Sequence, residues 1–126
     1  MIYAAAATGL EDKNHYSTSL DLARLAAYAL KNPVFAKIVA TPEITLVDGE
    51  GKPQKSLKNL NQLLGHVLGA TGIKTGWTED AGECLVASAQ RNSHTVITVI
   101  LRSQDRFGEG EKLLNWAFTN FIWEKI

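Results

Sequence analysis

The tripeptide Lys74-Thr75-Gly76 places a cation, a hydroxyl group and a residue without a side chain next to one another. On a β-strand the lysine supplies charge, the threonine can donate a hydrogen bond, and the glycine lets another backbone approach closely. This combination suits an anionic peptide terminus such as a C-terminal carboxylate. A bare tripeptide also matches by chance, so its surroundings decide whether the interpretation holds.

Three successive strands are predicted in the second half of the chain, over Gly72 to Thr78, Glu83 to Gln90 and His94 to Arg102. These strands are apolar on both faces, so both faces of their sheet must be covered. A terminal helix from about Glu109 to Trp123 is expected to cover one face. The residues expected to pack there are Leu113, Leu114, Ala117, Phe118 and Phe121. The other face needs the N-terminal helices, or a segment outside this chain.

Residues 1–70 are predicted to be mainly helical, and residues 1–126 are interpreted as a single domain. A helix is expected from Thr18 to Lys31, followed by a short helical turn over Pro33 to Ala40. A short strand over Pro42 to Val47 leads into a hairpin turn at 48–51. A helical pattern returns over Leu60 to Leu68. The fold class is therefore mixed α and β (α+β), a three-stranded antiparallel sheet flanked by helices, with the hairpin as a candidate extension.

Composition narrows the class of protein. The 13 basic and 13 acidic residues balance, and the basic residues are scattered, so nucleic acid is excluded as an expected partner. The single cysteine, Cys84, cannot form an internal disulfide, and no Cys/His spacing predicts a metal site or a cofactor. The start, Met1 to Gly9, is interpreted as neither a signal peptide nor a membrane span.

The segment Thr71 to Gly82, followed by Cys84 to Ala89, closely resembles the third active-site motif of the serine D-alanyl-D-alanine carboxypeptidases. These enzymes are the low-molecular-mass penicillin-binding proteins. Other family landmarks recur in the right order, at Gly9-Leu10, His15 to Ala23, Asn59 to Leu64 and Leu113 to Phe118. The resemblance runs from about Gly9 to Trp123 and implies a truncated β-lactamase/transpeptidase-like fold.

The resemblance also implies roles for single residues. Lys74 and Thr75, on the Lys-Thr-Gly76 substrate strand, would bind the terminal carboxylate of a D-alanyl-D-alanine stem peptide or of a β-lactam. Lys74 would also assist the proton relay of the serine. The backbone N–H of Trp77 would form part of the oxyanion hole. Arg106, seven residues before Leu113, would help to hold the carboxylate.

The sequence departs from this family at the nucleophile. None of its six serines is followed by lysine three places on, so Ser-x-x-Lys is absent, and Ser-x-Asn is absent as well. In relatives both motifs precede everything found here. Whether the chain is an enzyme is therefore left open. One hypothesis is a D-Ala-D-Ala carboxypeptidase to which this chain supplies the substrate strand, and the alternative is a non-catalytic binding or structural fragment.

Other candidate residues have ordinary structural explanations. His15, His66 and His94 have no ligand spacing, Cys84 reads as a small core residue, and Ser17 lies near His15 without an orienting acid. Trp116 and Trp123 are interpreted as packing residues of the terminal helix.

The segment that precedes this region in relatives completes the sheet and covers part of its face. Without that segment an apolar sheet face and a strand edge would be left open, which predicts a homodimer or a swapped assembly unless Ala4 to Ala7 repack over the gap. The family is extracytoplasmic and membrane-associated.

Overall fold

The computed structural model describes residues 8–10 and 12–124. Within this part of the chain it contains three helices and two antiparallel sheets. The elements, in order, are α1 (Ser19–Ala29), α2 (Pro33–Val39), β1 (Glu43–Val47), β2 (Pro53–Lys58), β3 (Ala70–Thr78), β4 (Gly82–Arg91), β5 (His94–Ser103) and α3 (Arg106–Asn120). The mixed α+β class with a three-stranded antiparallel sheet is confirmed. Ala4 to Ala7, expected to repack, lie outside the described residues.

The larger sheet has the order β3-β4-β5, so the strand that carries Lys74-Thr75-Gly76 lies at an edge. Thr75 pairs with Leu85, and Leu85 pairs with Ile100, so these three side chains share one face of the sheet. Lys74 pairs with Val86, and both project to the opposite face. Among the described strands, none pairs with the other side of β3.

The hairpin β1-β2 forms a separate two-stranded sheet, so the candidate extension of the larger sheet is not formed. Its base is closed by Asn59, whose backbone N–H donates to the carbonyl of Pro42 at 2.8 Å. The amide of the Asn59 side chain donates to the carbonyl of Thr41 at 3.1 Å. These bonds hold the hairpin beside the end of α2, where its strands pair with each other alone.

Helix α3 covers the face of the sheet that carries Leu85 and Ile100. Leu114 is fully buried there, and Phe107 and Phe118 pack at the margin of the same cluster. At Gly110 the helix comes so close that a Cβ atom would lie 2.9 Å from Leu85 Cδ2. Only glycine allows this approach. The core of the described chain thus lies between α3 and the sheet, and its buried members are Leu63, Val67, Leu85, Ala87, Ala89, Ile100 and Leu114.

The other face of the sheet is covered by the first two helices. A Cβ atom at Gly72 would lie 2.9 Å from Val39 Cγ2, which shows that α2 packs directly on β3 at a glycine. Gly72 also has φ of +144°, a conformation that other residues rarely adopt. Helix α1 packs against β5, and Ala26 is its buried residue.

The ends of the helices follow from their caps. The start of α1 is confirmed, because the Thr18 hydroxyl accepts from the backbone N–H of Asp21 at 3.1 Å. Helix α3 begins at Arg106, three residues before the predicted start, because the Asp105 carboxylate caps it by accepting from the N–H of Gly108 at 3.0 Å. It ends at Asn120.

The helix predicted over Leu60 to Leu68 is absent, and the segment forms successive turns. Gly65 and Gly69 have φ of +77° and +76°, which a right-handed helix does not contain. In addition, the side-chain oxygens of Asn59 and Asn61 each accept from the backbone N–H two residues later, at 2.9 and 3.1 Å. Asparagine favours such turns over helix. Leu63 and Val67 are nevertheless buried, so the apolar spacing marked core residues correctly.

The exposed apolar surface lies on the helices and the hairpin and not on a face of the larger sheet, where it was expected. The larger sheet is covered on both faces, whereas large apolar side chains remain exposed on the helices and the small hairpin, among them Tyr28, Val34, Ile38, Ile44 and Leu46. Leu113 and Phe121, expected to pack on the sheet, are 42% and 52% exposed. None of the described helices is long and apolar enough to cross a membrane.

Candidate functional site

The candidate site is built on β3, where alternation sends Lys74 and Thr75 to opposite faces of the sheet. Lys74 is exposed and its ammonium group donates to the carbonyl oxygen of Thr75. Thr75 is half-buried on the face that α3 covers. Because β3 is an edge strand, an anion beside its free edge could be reached by side chains from both faces.

Arg106 is brought to this strand from the first turn of α3. Its Nη1 donates a hydrogen bond of 2.8 Å to the carbonyl oxygen of Gly76. The guanidinium carbon also lies 4.9 Å from the ring centre of Phe107, which supports the side chain from one side. Arg106 Nε is buried and has no hydrogen-bond partner among the described residues. The guanidinium therefore retains donor capacity next to the Lys-Thr-Gly strand.

Glu83 is a neighbour of Arg106 that the sequence analysis missed. Its carboxylate accepts from the backbone N–H of Arg106 at 3.4 Å. In the sheet, Glu83 pairs with Trp77 on β3 and with Ser103 on β5. Glu83 thus links the end of the substrate strand to the start of α3. No sequence signal pointed to it, because the contact depends on how the β4 strand and the helix meet.

Trp77 follows directly after the Lys-Thr-Gly run, and its side chain is 66% exposed. Its assigned role concerns the backbone N–H rather than the indole. Trp77 lines an open cavity of about 590 Å³, which lies between the end of β3 and residues 9, 10, 12, 13 and 15. The described residues that line it are Gly9, Leu10, Asp12, Lys13, His15, Gly76, Trp77, Thr78, Asp80, Ala81 and Cys84.

The sequence-predicted residues divide into two groups around this cavity. Gly76 and Trp77 line it, whereas Lys74, Thr75 and Arg106 are not among its lining residues. Arg106 joins the site through the Gly76 carbonyl. A common anion position for Lys74 and Arg106, and the oxyanion role of the Trp77 N–H, stay predictions.

The histidines and the cysteine, which the sequence analysis interpreted as structural residues, make the following contacts. His66 is 3.5 Å from Glu111 of α3, and His94 stacks on Trp123 with ring centres 4.8 Å apart. Cys84 is half-buried, and its sulfur lies 3.7 Å from the carbonyl oxygen of Ala81. Among the described residues no group of three or more His, Cys, Asp or Glu side chains could hold a metal ion.

Comparison with proteins of known sequence gives a consistent picture. Residues 3–105 match the peptidase S11 family, described as D-alanyl-D-alanine carboxypeptidase. The D-alanyl-D-alanine carboxypeptidase DacF of Bacillus subtilis is 33% identical over 117 residues, which cover 90% of this chain and 30% of that protein. The corresponding enzyme of a Streptomyces species is 34% identical, with 87% and 40% covered. The chain thus spans well under half the length of these relatives.

Solved structures agree in fold. The Streptomyces K15 DD-transpeptidase superposes with a TM-score of 0.78 at 36% identity, over 86% of this chain and 44% of that one. Penicillin-binding protein D2 of Listeria monocytogenes, solved in an ampicillin-bound form, superposes with a TM-score of 0.80 at 32% identity, over 90% and 47%. From the matched residues and the shared fold, the chain belongs to the D-alanyl-D-alanine carboxypeptidase family.

Proposed function

We propose that this chain supplies the carboxylate-binding strand and the oxyanion side of a serine-type D-Ala-D-Ala carboxypeptidase that acts on peptidoglycan stem peptides. β-Lactams would occupy the same strand, and the protein would work outside the cytoplasm in association with the membrane. The observation that carries the proposal is the 2.8 Å contact from Arg106 Nη1 to the Gly76 carbonyl. It holds a permanent cation beside the residues that the family uses for its substrate.

The positions of the charged and hydrogen-bonding groups along β3 indicate how a D-Ala-D-Ala peptide would bind. A terminal carboxylate beside the free edge of β3 would take hydrogen bonds from Thr75 and charge-assisted bonds from Arg106 and Lys74, which now contact backbone carbonyls. The scissile carbonyl would then lie near Trp77, whose backbone N–H would stabilise negative charge that develops on the oxygen. The serine that forms the acyl-enzyme in the family is not supplied by these 126 residues.

Reversible binding tests the carboxylate half of this proposal. The chain is titrated with N-acetyl-D-alanyl-D-alanine and, as matched control, with the same peptide ended by a neutral amide, while backbone amide signals are followed by NMR. We expect the acid to shift the signals of residues 74–77 and to bind about tenfold more tightly than the amide, because hydrogen bonds to charged groups are worth about 1.5–3 kcal/mol. Equal binding of acid and amide would contradict the proposal.

The second candidate function is a binding or structural fragment without acyl transfer, and the absence of Ser-x-x-Lys from these residues favours it for the chain alone. A fluorescent penicillin distinguishes the two, since only a chain with the nucleophile is covalently labelled. We expect the intact mass of this chain to stay unchanged after incubation with the β-lactam. A stable gain of one drug molecule, mapped to a serine of this sequence, would show that it carries its own nucleophile.

Self-association is proposed as a property of the chain, as a homodimer or a swapped assembly. An apolar groove of about 240 Å³ lies between α2 and the hairpin, and Ile38, Ile44 and Leu57 are among its lining residues. All three side chains are at least 40% exposed. Burial of apolar surface contributes roughly 25 cal/mol per Å², so a few hundred Å² gives several kcal/mol toward association.

A further inference from the structure

Glu83 is a half-buried acidic residue of β4, at the end of the sheet where the proposed substrate strand finishes. It pairs with Trp77 on β3, and the next residue, Cys84, pairs with Gly76. Its carboxylate accepts from the backbone N–H of Arg106 at 3.4 Å, so its side chain projects to the face of the sheet that α3 covers. Glu83 therefore lies between the last residues of β3 and the first residue of α3.

Two carboxylates hold the start of α3, and they do so from different elements. Asp105 precedes the helix and accepts from the N–H of Gly108 at 3.0 Å, as an N-cap residue does. Glu83 accepts from the N–H of Arg106, which is the first residue of the helix. The first N–H groups of a helix have no partner inside the helix and need one outside it. Asp105 thus closes the helix end locally, whereas Glu83 attaches that end to the sheet.

Arg106 is held at both its backbone and its side chain. Its N–H is bound to Glu83 on β4, and its Nη1 donates to the carbonyl of Gly76 on β3 at 2.8 Å. A guanidinium group has five N–H donors, so the contact with Gly76 can persist while other donors bind a carboxylate. A side chain that is already held in place loses less conformational freedom when it binds a ligand. The affinity of Arg106 for a carboxylate therefore depends on what holds the residue.

We propose that Glu83 is a positioning residue for carboxylate recognition, an inference that rests on the proposed function. By binding the N–H of Arg106, Glu83 fixes the first turn of α3 relative to β3. It thereby keeps the guanidinium group at the carbonyl of Gly76, beside the free edge where the terminal carboxylate is proposed to lie. Glu83 acts through Arg106 and does not contact the ligand. Its contribution is an oxygen that accepts from an N–H, which an uncharged side chain of the same shape can also supply.

The test compares two replacements of Glu83 with a matched control. Glu83→Met keeps the length of the side chain and removes the oxygen acceptor, whereas Glu83→Gln keeps an oxygen acceptor and removes the charge. Glu109→Met is the control, because Glu109 is an exposed acidic residue in the first turn of the same helix. Each variant is titrated by NMR with N-acetyl-D-alanyl-D-alanine and with its C-terminal amide. NMR relaxation of the Nε–H of Arg106 reports the motion of the guanidinium group without ligand.

We expect Glu83→Met to lower the ratio of acid to amide affinity about two- to tenfold, the range that one hydrogen bond allows, and to increase the motion of the guanidinium group. Binding of the amide should stay unchanged. Glu83→Gln and Glu109→Met should keep the ratio and the motion of the unaltered chain. In an Arg106→Leu background, Glu83→Met should have no further effect on the ratio, because Glu83 acts through Arg106.

Three results would overturn the positioning role and leave the proposed function intact. The first is an unchanged ratio with unchanged motion of Arg106 in Glu83→Met, even where the free energy of unfolding falls. The second is an equal loss in Glu83→Gln and Glu83→Met, and the third is a further loss in the Arg106→Leu background. Equal binding of acid and amide by the unaltered chain would contradict the proposed function. The motion of Arg106 then decides by itself whether Glu83 holds the side chain.

Discussion

The guanidinium group of Arg106 donates to the backbone carbonyl of Gly76, 30 residues earlier in the chain, at 2.8 Å. The contact joins the first turn of α3 to the edge strand β3. A side chain that stands at the start of a helix is thereby tied to the strand on which the substrate is proposed to lie.

Replacement of this side chain should affect binding more than folding. We expect Arg106→Leu to weaken binding of N-acetyl-D-alanyl-D-alanine about tenfold or more, because a charge-assisted contact to the carboxylate is lost. The free energy of unfolding should fall by less than about 1.5 kcal/mol, since one hydrogen bond to a carbonyl is removed. Arg24→Leu, on an exposed position of α1, is the control and should leave binding unchanged. Equal losses in both variants would contradict the role of Arg106.

Two adjacent leucines of α3 should differ in their contribution to stability. Leu114 is fully buried against the sheet, whereas Leu113 is 42% exposed. We expect Leu114→Ala to lower the free energy of unfolding by about 2–5 kcal/mol, through lost burial and a cavity. Leu113→Ala should cost less than about 1 kcal/mol. Urea denaturation followed by tryptophan fluorescence measures both, and similar losses would show that the described face of α3 is wrong.

The hairpin should lose stability in acid through Asp48. The backbone N–H of Lys52, then that of Glu50 and the side chain of Gln54, holds the pKa of Asp48 below its ordinary value of 3.8. A lowered pKa in the folded state adds stability above the unfolded pKa, and this is lost as the pH falls through the folded pKa. Amide signals of residues 50–52 and 54 should therefore move with a midpoint below pH 3.8.

The variant Asp48→Asn provides the control for that titration. It keeps an oxygen that can accept from the N–H groups of Glu50 and Lys52 and removes the ionisable group. The movement with a midpoint below pH 3.8 should disappear in it. A titration midpoint of Asp48 at or above 3.8 in the unaltered chain would contradict the expected direction.

Association should depend on one face of the hairpin. Ile44 is 52% exposed and lines the groove beside α2, whereas Thr45 projects to the opposite face of its strand. Light scattering after size exclusion at micromolar concentration should give a dimer for the unaltered chain and for Thr45→Lys. Ile44→Lys should shift it toward the monomer, because a charge cannot be buried without cost. A monomer in all three cases, without dye-accessible apolar surface, would exclude self-association.

The second half of the chain was largely predictable, because its strands have continuous β-branched and apolar residues and its turns contain glycine or asparagine. Helix α1 was predictable for a local reason too, since Thr18 caps it through the N–H of Asp21. The helix predicted at 60–68 is absent because apolar spacing identified Leu63 and Val67 as core residues and could not reveal the left-handed backbone at Gly65, which has φ of +77°. A glycine inside a helical pattern can equally mark a turn, and apolar spacing does not distinguish the two.

The residues of the candidate site also fall into a group that the sequence identified and a group that depends on tertiary packing. Lys74, Thr75 and Gly76 were found because they are adjacent in sequence. Glu83 was missed because its contact with the N–H of Arg106 arises only when β4 and α3 meet. The cavity was missed for a related reason, since its walls come from two stretches of the chain, residues 9, 10, 12, 13 and 15 and residues 76–78, 80, 81 and 84. Their meeting depends on tertiary packing, which no local pattern encodes.

The close packing at Gly110 has a consequence for the guanidinium four residues earlier. Because α3 packs this closely on the sheet at Gly110, the distance between the helix and the sheet is fixed there. That distance determines how far the Arg106 side chain must extend to reach the carbonyl of Gly76. A methyl group at position 110 would lie 2.9 Å from Leu85 Cδ2 and would move α3 away from the sheet. The residue at position 110 therefore influences the position of the Arg106 guanidinium, although it belongs neither to β3 nor to the cavity lining.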